Sequence, residues 1–430
     1  MREMKDSGVA WIGEIPKEWN LIRYKDKYKN SKEIAGDKSS SYERLALTLN
    51  GVIKRPKDDS DGLQPKEFDT YQVLHENDFV FKMIDLQNIS TSRVGLSPYT
   101  GLVSPAYIRF RPKSEKQYPR FIYYFLMSMY YNCVFNNLGG DGVRSALNAS
   151  DMGMLLIPYP IESEQHRIAD YLDTACGKVD ALIANQQAQI EKLKTYKQSL
   201  ITEVVTHGLN PDAPMKDSGV EWIGRITNTH SVWKLKFLLS EHMMYGANES
   251  GEQYSKDAAR YIRITDITAE NTLKDDENNL YLGNSKAESY ILKDKDILFA
   301  RSGGTVGKSF MFSEKYGKSA FAGYLIKARC NPDKILPEYL FWYTLSSLYE
   351  KWKNMIFIQA TIQNIGASKY ESMEVVVCPI EEQHRIVNYL DNKCAKIDAL
   401  IAIKQQKIEK LTQYKKSLIY EYVTGKKEAT

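Results

Sequence analysis

Glu164-Gln165-His166-Arg167-Ile168 returns as Glu382-Gln383-His384-Arg385-Ile386, and the likeness runs without a gap to Val205-Thr206 and Val423-Thr424. Over about 45 positions the two copies share about 28 residues, which marks an internal duplication. A second block repeats as well: Met4-Lys5-Asp6-Ser7-Gly8-Val9-Ala10-Trp11-Ile12-Gly13 recurs as Met215-Lys216-Asp217-Ser218-Gly219-Val220-Glu221-Trp222-Ile223-Gly224. Between these blocks the chain diverges and keeps only an echo. Asp78-Phe79-Val80-Phe81 aligns with Asp296-Ile297-Leu298-Phe299, and Pro119 with Pro337. A period of about 200 residues is too long for a solenoid. A whole domain and its arm have been duplicated. Near-identical arms repeat one job, and divergent middles do different ones.

The arms read as coiled coil. Val179, Ile183, Ile190, Leu193, Leu200 and Val204 fall on alternating four- and three-residue steps, interrupted at Gln186 and Lys197. Their twins are Ile397, Ile401, Ile408, Leu411, Leu418 and Tyr422, interrupted at Lys404 and Lys415. A narrow apolar seam among Lys, Gln and Glu is the coiled-coil pattern. His207-Gly208 with Pro211 stops the first run, and Gly425 stops the second. Each run from Lys178 or its twin spans about 42 Å at 1.5 Å per residue. So narrow a seam needs a partner, and the nearest is the other copy. The spacing predicts an antiparallel intramolecular pair with the variable blocks at opposite ends. Ahead of each run, Gln165 to Asp173 reads as a separate, shorter amphipathic helix, opened by Pro160 with Glu162 and Glu164 in its first turn. His166 and His384 have no nucleophile or metal partner at ligand spacing, so they read as structural or partner-contact residues.

Composition bounds the rest. The chain has 430 residues, 43% hydrophobic and 26% charged, an ordinary soluble composition that excludes global disorder. No apolar run reaches the length of a membrane span, and Met1 to Gly8 has no apolar stretch behind its charges, so no secretory signal is expected. The five cysteines contain no C-x-x-C; a reducing cytoplasm is the expected compartment. The formal charge of +4 allows nucleic-acid binding only if positive charge is concentrated on one surface. The 29 tyrosines suit β-rich, surface-reading domains.

The middles mix short strands with aromatic helices. Asp78–Phe81, Tyr107–Arg111, Asp296–Ala300 and Tyr324–Ala328 read as strands; Phe121–Tyr131 and Tyr339–Trp352 read as buried helices, each started after a proline. The fold class is α+β. Ser302-Gly303-Gly304-Thr305-Val306-Gly307-Lys308-Ser309 resembles a phosphate-binding loop, yet its first glycine is Ser302, and Phe310-Met311-Phe312 reads as strand instead of the required helix. H-E-x-x-H, G-x-S-x-G, G-x-G-x-x-G and an Asn-Pro-Pro-aromatic stretch are all missing. The sequence reads as a reader of surfaces, with no catalytic residue and no metal site assigned. Basic and amide-bearing loops sit at matching places: Ser90 to Arg93 and Arg301 to Thr305 with Lys308, then Gly139 to Ser145 and Gln359 to Asn364. Arg suits guanine or phosphate, Asn and Gln suit adenine, and small hydroxyls suit phosphate. The candidate contacts are therefore Arg93, Arg144, Ser145, Arg301, Ser302, Thr305, Lys308, Gln359, Gln363 and Asn364.

These residues resemble the DNA-specificity (S) subunits of type I restriction-modification systems. The likeness rests on Asp6-Ser7-Gly8-Val9-Ala10-Trp11-Ile12-Gly13-Glu14-Ile15-Pro16-Lys17-Glu18-Trp19, on Ile157-Pro158-Tyr159-Pro160-Ile161 with Glu164 to Ile168, on Arg93 to Leu96 with Val103 to Ile108, and on the repeat order. Val377-Cys378-Pro379-Ile380 lacks the paired prolines, and Arg225-Ile226-Thr227 replaces Glu-Ile-Pro; both departures touch only how the helix begins. The resemblance implies two α/β target-recognition domains separated by two long antiparallel helices forming an intramolecular coiled coil, in a pseudo-two-fold repeat. The corresponding segments are 1–159, 160–208, 209–378 and 379–430. It further implies that each domain reads half of a bipartite double-stranded DNA target. The helices would dock two methyltransferase (M) subunits, with restriction-translocase (R) subunits completing the complex. This chain would carry no cofactor: S-adenosylmethionine, ATP and Mg would sit on the partner subunits. Rival readings are a coiled-coil adaptor without DNA specificity and a nucleotide-binding P-loop enzyme using Lys308.

Overall fold

Each apolar seam is shared between two compact units. A computed structural model divides the chain into one unit of residues 1–187 with 405–430 and another of residues 188–404. It describes residues 2–49, 51–59, 67–84, 86, 93–114, 117–138, 146–268, 270–274, 278–358 and 364–429. Two helices dominate, Glu162–His207 and Ile380–Val423, and each contributes to both units. Among the described residues, no helix is long and apolar enough to cross a membrane.

In the first unit the two helices run antiparallel: Tyr171 stacks on Tyr422 at 4.4 Å, and Lys415 Nζ bonds both carboxylate oxygens of Asp180 at 2.7 Å. In the second, Lys404 bonds Gln189, and Lys197 Nζ bonds Asp398 at 2.7 and 2.8 Å. The two Lys–Asp bars are the same contact in the two copies. They occupy the places where the apolar spacing is interrupted, so polar residues there set register at some cost in stability. Of the seam residues, Val179, Ile190, Leu200, Ile397 and Leu418 are buried; Ile183, Leu193, Ile401, Ile408 and Leu411 are half-buried.

The shorter helix expected at 165–173 is not separate. It forms the first turns of Glu162–His207. Gly177 stands at the junction, and an interior glycine costs only about 1 kcal/mol. Ile168, Leu172 and Cys176 are buried just before it and Val179 just after, and each well-buried apolar side chain returns about 1.5–3 kcal/mol. The helix therefore runs through.

Each unit repeats one frame. A hairpin, Met4–Asp6 with Glu14–Pro16 or Met215–Asp217 with Arg225–Thr227, packs beside the end of a long helix. There Gly425 (φ 71) leaves no room for a side chain against Pro16, and Gly208 (φ 71) none against Glu382. Strand Asn20–Arg23 pairs with Leu156–Tyr159, and Ser231–Lys234 with Glu374–Val377. The central sheet orders Tyr28–Asn30, Ile108–Pro112, Phe79–Lys82, Arg93–Leu96 in one unit. The other orders Met244–Tyr245, Leu325–Ala328, Ile297–Ala300, Ser309–Met311. Beside it lies a second sheet, four-stranded in the first unit and three-stranded in the second, with one parallel pairing in each; the other strand pairings are antiparallel, and the blocks are α+β. The helix after Pro119 runs Pro119–Tyr131, while the single helix expected at Tyr339–Trp352 is two, Pro337–Thr344 and Ser347–Ile358. Thr202 breaks it from outside: its hydroxyl accepts from the Ser347 amide at 2.8 Å, the bond an N-terminal cap makes.

The frame is bolted to the long helices at equivalent points. Tyr124 Oη donates to Asp173 at 2.5 Å, and Trp342 Nε1 to Asp391 at 2.9 Å. Trp19 Nε1 donates to Glu164 at 2.9 Å, and His230, at the position equivalent to Trp19, faces Glu382 at 3.4 Å. Before each central strand, Asn77 (φ 65) and Lys295 (φ 64) turn left-handed, and the buried Asp78 and Asp296 accept from the amides of His75 and Lys293 at 2.9 Å. Arg109 Nε bonds Asp78 at 2.6 Å with both side chains buried. In the twin the partner moves two residues along the strand, to Arg329, which forks onto Asp296 at 2.7 and 2.8 Å. Burial alone would raise the Glu33 carboxyl, but hydrogen bonds from His75 and Arg109 hold it below its ordinary value.

Arg109→Ala strands a buried carboxylate and is expected to lower stability by about 3–5 kcal/mol. Arg111→Ala, which removes an exposed guanidinium 4.0 Å from Asp78, costs under about 1 kcal/mol. Urea unfolding followed by circular dichroism compares the two.

Candidate nucleic-acid interface

The end of strand Ile297–Ala300 gathers the polar candidates of the second unit. Ser302 bridges Asn364 backbone to backbone, the Ile365 amide donates to the Arg301 carbonyl at 2.8 Å, and the Arg301 amide donates to the Tyr324 carbonyl at 3.0 Å. The Arg301 guanidinium lies 4.8 Å above the Tyr245 ring, a cation–π distance. Its Nε and the Thr305 hydroxyl are buried without a hydrogen-bond partner among the described residues. Such orphaned atoms beside an exposed edge cost free energy until something pairs with them. Asn364 is exposed, and Ser302 and Lys308 are half-buried. Arg301, Ser302 and Asn364 thus come together, with Thr305 in the 3-10 turn that follows Ser302. Lys308 differs, since its ammonium donates to the Thr268 carbonyl at 3.2 Å.

Residues 302–309 do not fold as a phosphate loop. A single 3-10 turn, Gly303–Thr305, leads into strand Ser309–Met311, so no helix N-terminus faces the loop. Gly307 (φ 83) presses its backbone onto the Lys353 stem, 2.2 Å from where a side chain would begin. The P-loop reading falls on that geometry.

Two residues at this edge escaped the sequence reading. Tyr245 and Tyr324 expose 41% and 61% of their surface, large for tyrosines held in and beside sheet strands. Each adjoins a glycine that its fold demands: a side chain on Gly246 would meet backbone oxygens at 2.4 Å, and one on Gly323 would meet Asn248 Oδ1 at 2.0 Å. The Tyr245-Gly246 and Gly323-Tyr324 pairs were the available signal.

The first unit has the same edge with other side chains. Ile84 bridges Ala146 as Ser302 bridges Asn364, and the Leu147 amide donates to the Met83 carbonyl at 3.1 Å. Ile84 is exposed. Arg93 begins its strand opposite Lys82 and is half-buried. Arg144, Ser145, Gln359 and Gln363 lie outside the described residues. His166 stacks on Tyr118 at 3.7 Å, and Tyr118, pushed up to about 12 by burial and its bond to Asp170, remains a hydrogen-bond donor at neutral pH.

Known proteins share this arrangement. Residues 22–192 and 246–413 each match the profile of the type I restriction modification DNA specificity domain. The StySPI specificity subunit of Salmonella potsdam is 21% identical over 286 residues, 66% of this chain and 60% of that protein. The chain therefore spans less than two thirds of that relative. A putative MjaX specificity subunit of Methanocaldococcus jannaschii is 24% identical over 439 residues, 96% of this chain and 95% of that one. A chain solved in work on complex assembly and conformational transition of the type I R-M system superposes with a TM-score of 0.67. It is 14% identical and covers 95% of this chain and 98% of its own length, which shows the fold. With a repeated domain matching over most of its length, the chain belongs to the type I restriction modification DNA specificity family.

Proposed function

We propose that the chain is the non-catalytic, sequence-specific DNA-binding subunit of a type I restriction-modification complex, each recognition domain reading half of a bipartite duplex target. One observation carries the reading: the same backbone edge presents Arg301, Ser302 and Asn364 in one unit and Ile84 and Ala146 in the other. A guanidinium and an amide suit purine edges, whereas apolar groups suit a thymine methyl. Unlike side chains on like frames give two unlike half-sites. The adaptor alternative leaves the unpaired Arg301 Nε and Thr305 hydroxyl without a purpose.

The helices supply the second part of the proposal. Leu182 and Tyr414 of the first unit are exposed, as are Leu400 and Tyr196 of the second; each residue has its twin in the other unit. Two matching apolar surfaces suit two copies of one partner, which by family would be the methyltransferase subunit, with restriction subunits joining the assembly. S-adenosylmethionine, ATP and Mg would act on those partners. The cytoplasm, where such complexes meet DNA, is the compartment.

Three outcomes test this. Replacing residues 17–158 by another recognition domain should change one half of the methylated target, read by single-molecule sequencing; a change in both halves, or in neither, refutes modular reading. Arg301→Ala should weaken binding to the specific duplex by about 1–3 kcal/mol and relax one position, measured at fixed salt because phosphate contacts are salt-dependent. Leu182→Ser should lower the methyltransferase stoichiometry from two to one, and the double variant with Leu400→Ser to none, by native mass spectrometry.

A further inference from the structure

His230, Cys378 and Glu382 converge where the second hairpin, the strand ending at Val377 and the first turn of helix Ile380–Val423 meet. Their ligand atoms all lie within 4.8 Å of one another. His230 is fully buried, and its Nδ1 lies 3.0 Å from the Thr206 carbonyl, which can only accept, so Nδ1 carries the proton. In a neutral ring Nε2 is then a bare lone pair. It has no hydrogen-bond partner among the described residues and faces the Glu382 carboxylate at 3.4 Å. Two acceptors pointed at each other in a buried place repel unless a proton or a metal cation stands between them, and 3.4 Å is longer than the about 2.7–2.9 Å of a charge-assisted hydrogen bond.

The twin position shows the alternative. There Trp19 supplies an N–H, which donates to Glu164 at 2.9 Å, and Pro160 stands where Cys378 does. The first unit solves the contact with a donor. The second replaces the donor by an acceptor and adds a thiol.

We propose that His230 Nε2, Cys378 Sγ and a Glu382 carboxylate oxygen bind one Zn²⁺. The set is chemically suited: imidazole and thiolate favour zinc and disfavour Mg²⁺ or Ca²⁺. A dication with one thiolate, one carboxylate and a neutral imidazole is electrically neutral, which suits burial. Zn–N and Zn–O bonds of about 2.0–2.1 Å set a tetrahedral N···O edge of about 3.3–3.4 Å, the length already present between His230 and Glu382. The Thr206 carbonyl fixes the ring tautomer, as outer partners of zinc histidines do. On the other side Gln383 Nε2 donates to the Cys378 carbonyl at 2.8 Å and steadies the thiol's backbone. The partly exposed Glu382 leaves the fourth position to water. Binding releases the thiol proton to solvent and forms three metal–ligand bonds, with no change in oxidation state. The ion ties the second hairpin to the start of the long helix.

The full-length chain, stripped with a chelator, is titrated with Zn²⁺ against a chromophoric competitor and separately with Co²⁺. One tightly bound equivalent is expected, along with a thiolate-to-cobalt charge-transfer band. Cys378→Ser should lose the band and bind zinc more than about tenfold more weakly. Should that variant fail to fold, His230→Gln serves instead, since its amide can donate to Glu382, and the same loss of zinc affinity is expected. Absence of a stoichiometric zinc in the wild type, or wild-type affinity in the folded variant, overturns the site.

Discussion

The long helices depend on a register, and two ion pairs hold it. Lys415–Asp180 in one unit and Lys197–Asp398 in the other are a single contact written twice by the duplication. A pure apolar seam tolerates sliding by a heptad, because every Leu or Ile hole resembles the next. A lysine at a seam position narrows the choice, since a slide of one heptad would meet Asp173 or Asp391, each already bonded to Tyr124 or Trp342. The partly exposed aspartates make each pair weak as a source of stability. Their contribution is to the choice among alignments.

Much of the frame was readable from the chain. Seam spacing marks the helices, and the echo around Asp78 and Asp296 places the central strands within a residue of where they lie. What stayed hidden was decided by contacts distant in sequence. Gln165 to Asp173 reads as a separate helix until the burial on both sides of Gly177 is known. Tyr339 to Trp352 reads as one helix because nothing local announces that the Thr202 hydroxyl, far away in the chain, caps a new start at Ser347. The pairing of Asp78 with Arg109 but of Asp296 with Arg329 follows the same logic: both strands carry two basic residues on one face, and only packing selects between them.

The candidate interface was less legible. Arg301, Ser302 and Asn364 could be named as types suited to DNA, yet their meeting at one strand end needed the bridge that joins distant segments. Tyr245 and Tyr324 were lost among 29 tyrosines, since exposure is a property of place. Lys308 shows the converse, a residue of suggestive type whose charge is turned inward to a carbonyl. His230 was invisible because its twin is a tryptophan, and a likeness search passes over the positions where copies differ.

Those differences are where function concentrates. The turn amides on Asp78 and Asp296, the bridge at Ile84 or Ser302, and the amide of Leu147 or Ile365 are backbone features, and they recur whatever side chains stand above them. A frame secured by its backbone lets surface residues change without loss of the fold, because an exposed substitution away from such features shifts stability by less than about 0.5 kcal/mol. Recognition can then diverge between two copies while the arms, constrained by register and by the partner surface proposed for them, cannot. The near-identity of the helices and the divergence of the middles are two consequences of one division of labour between backbone and side chain.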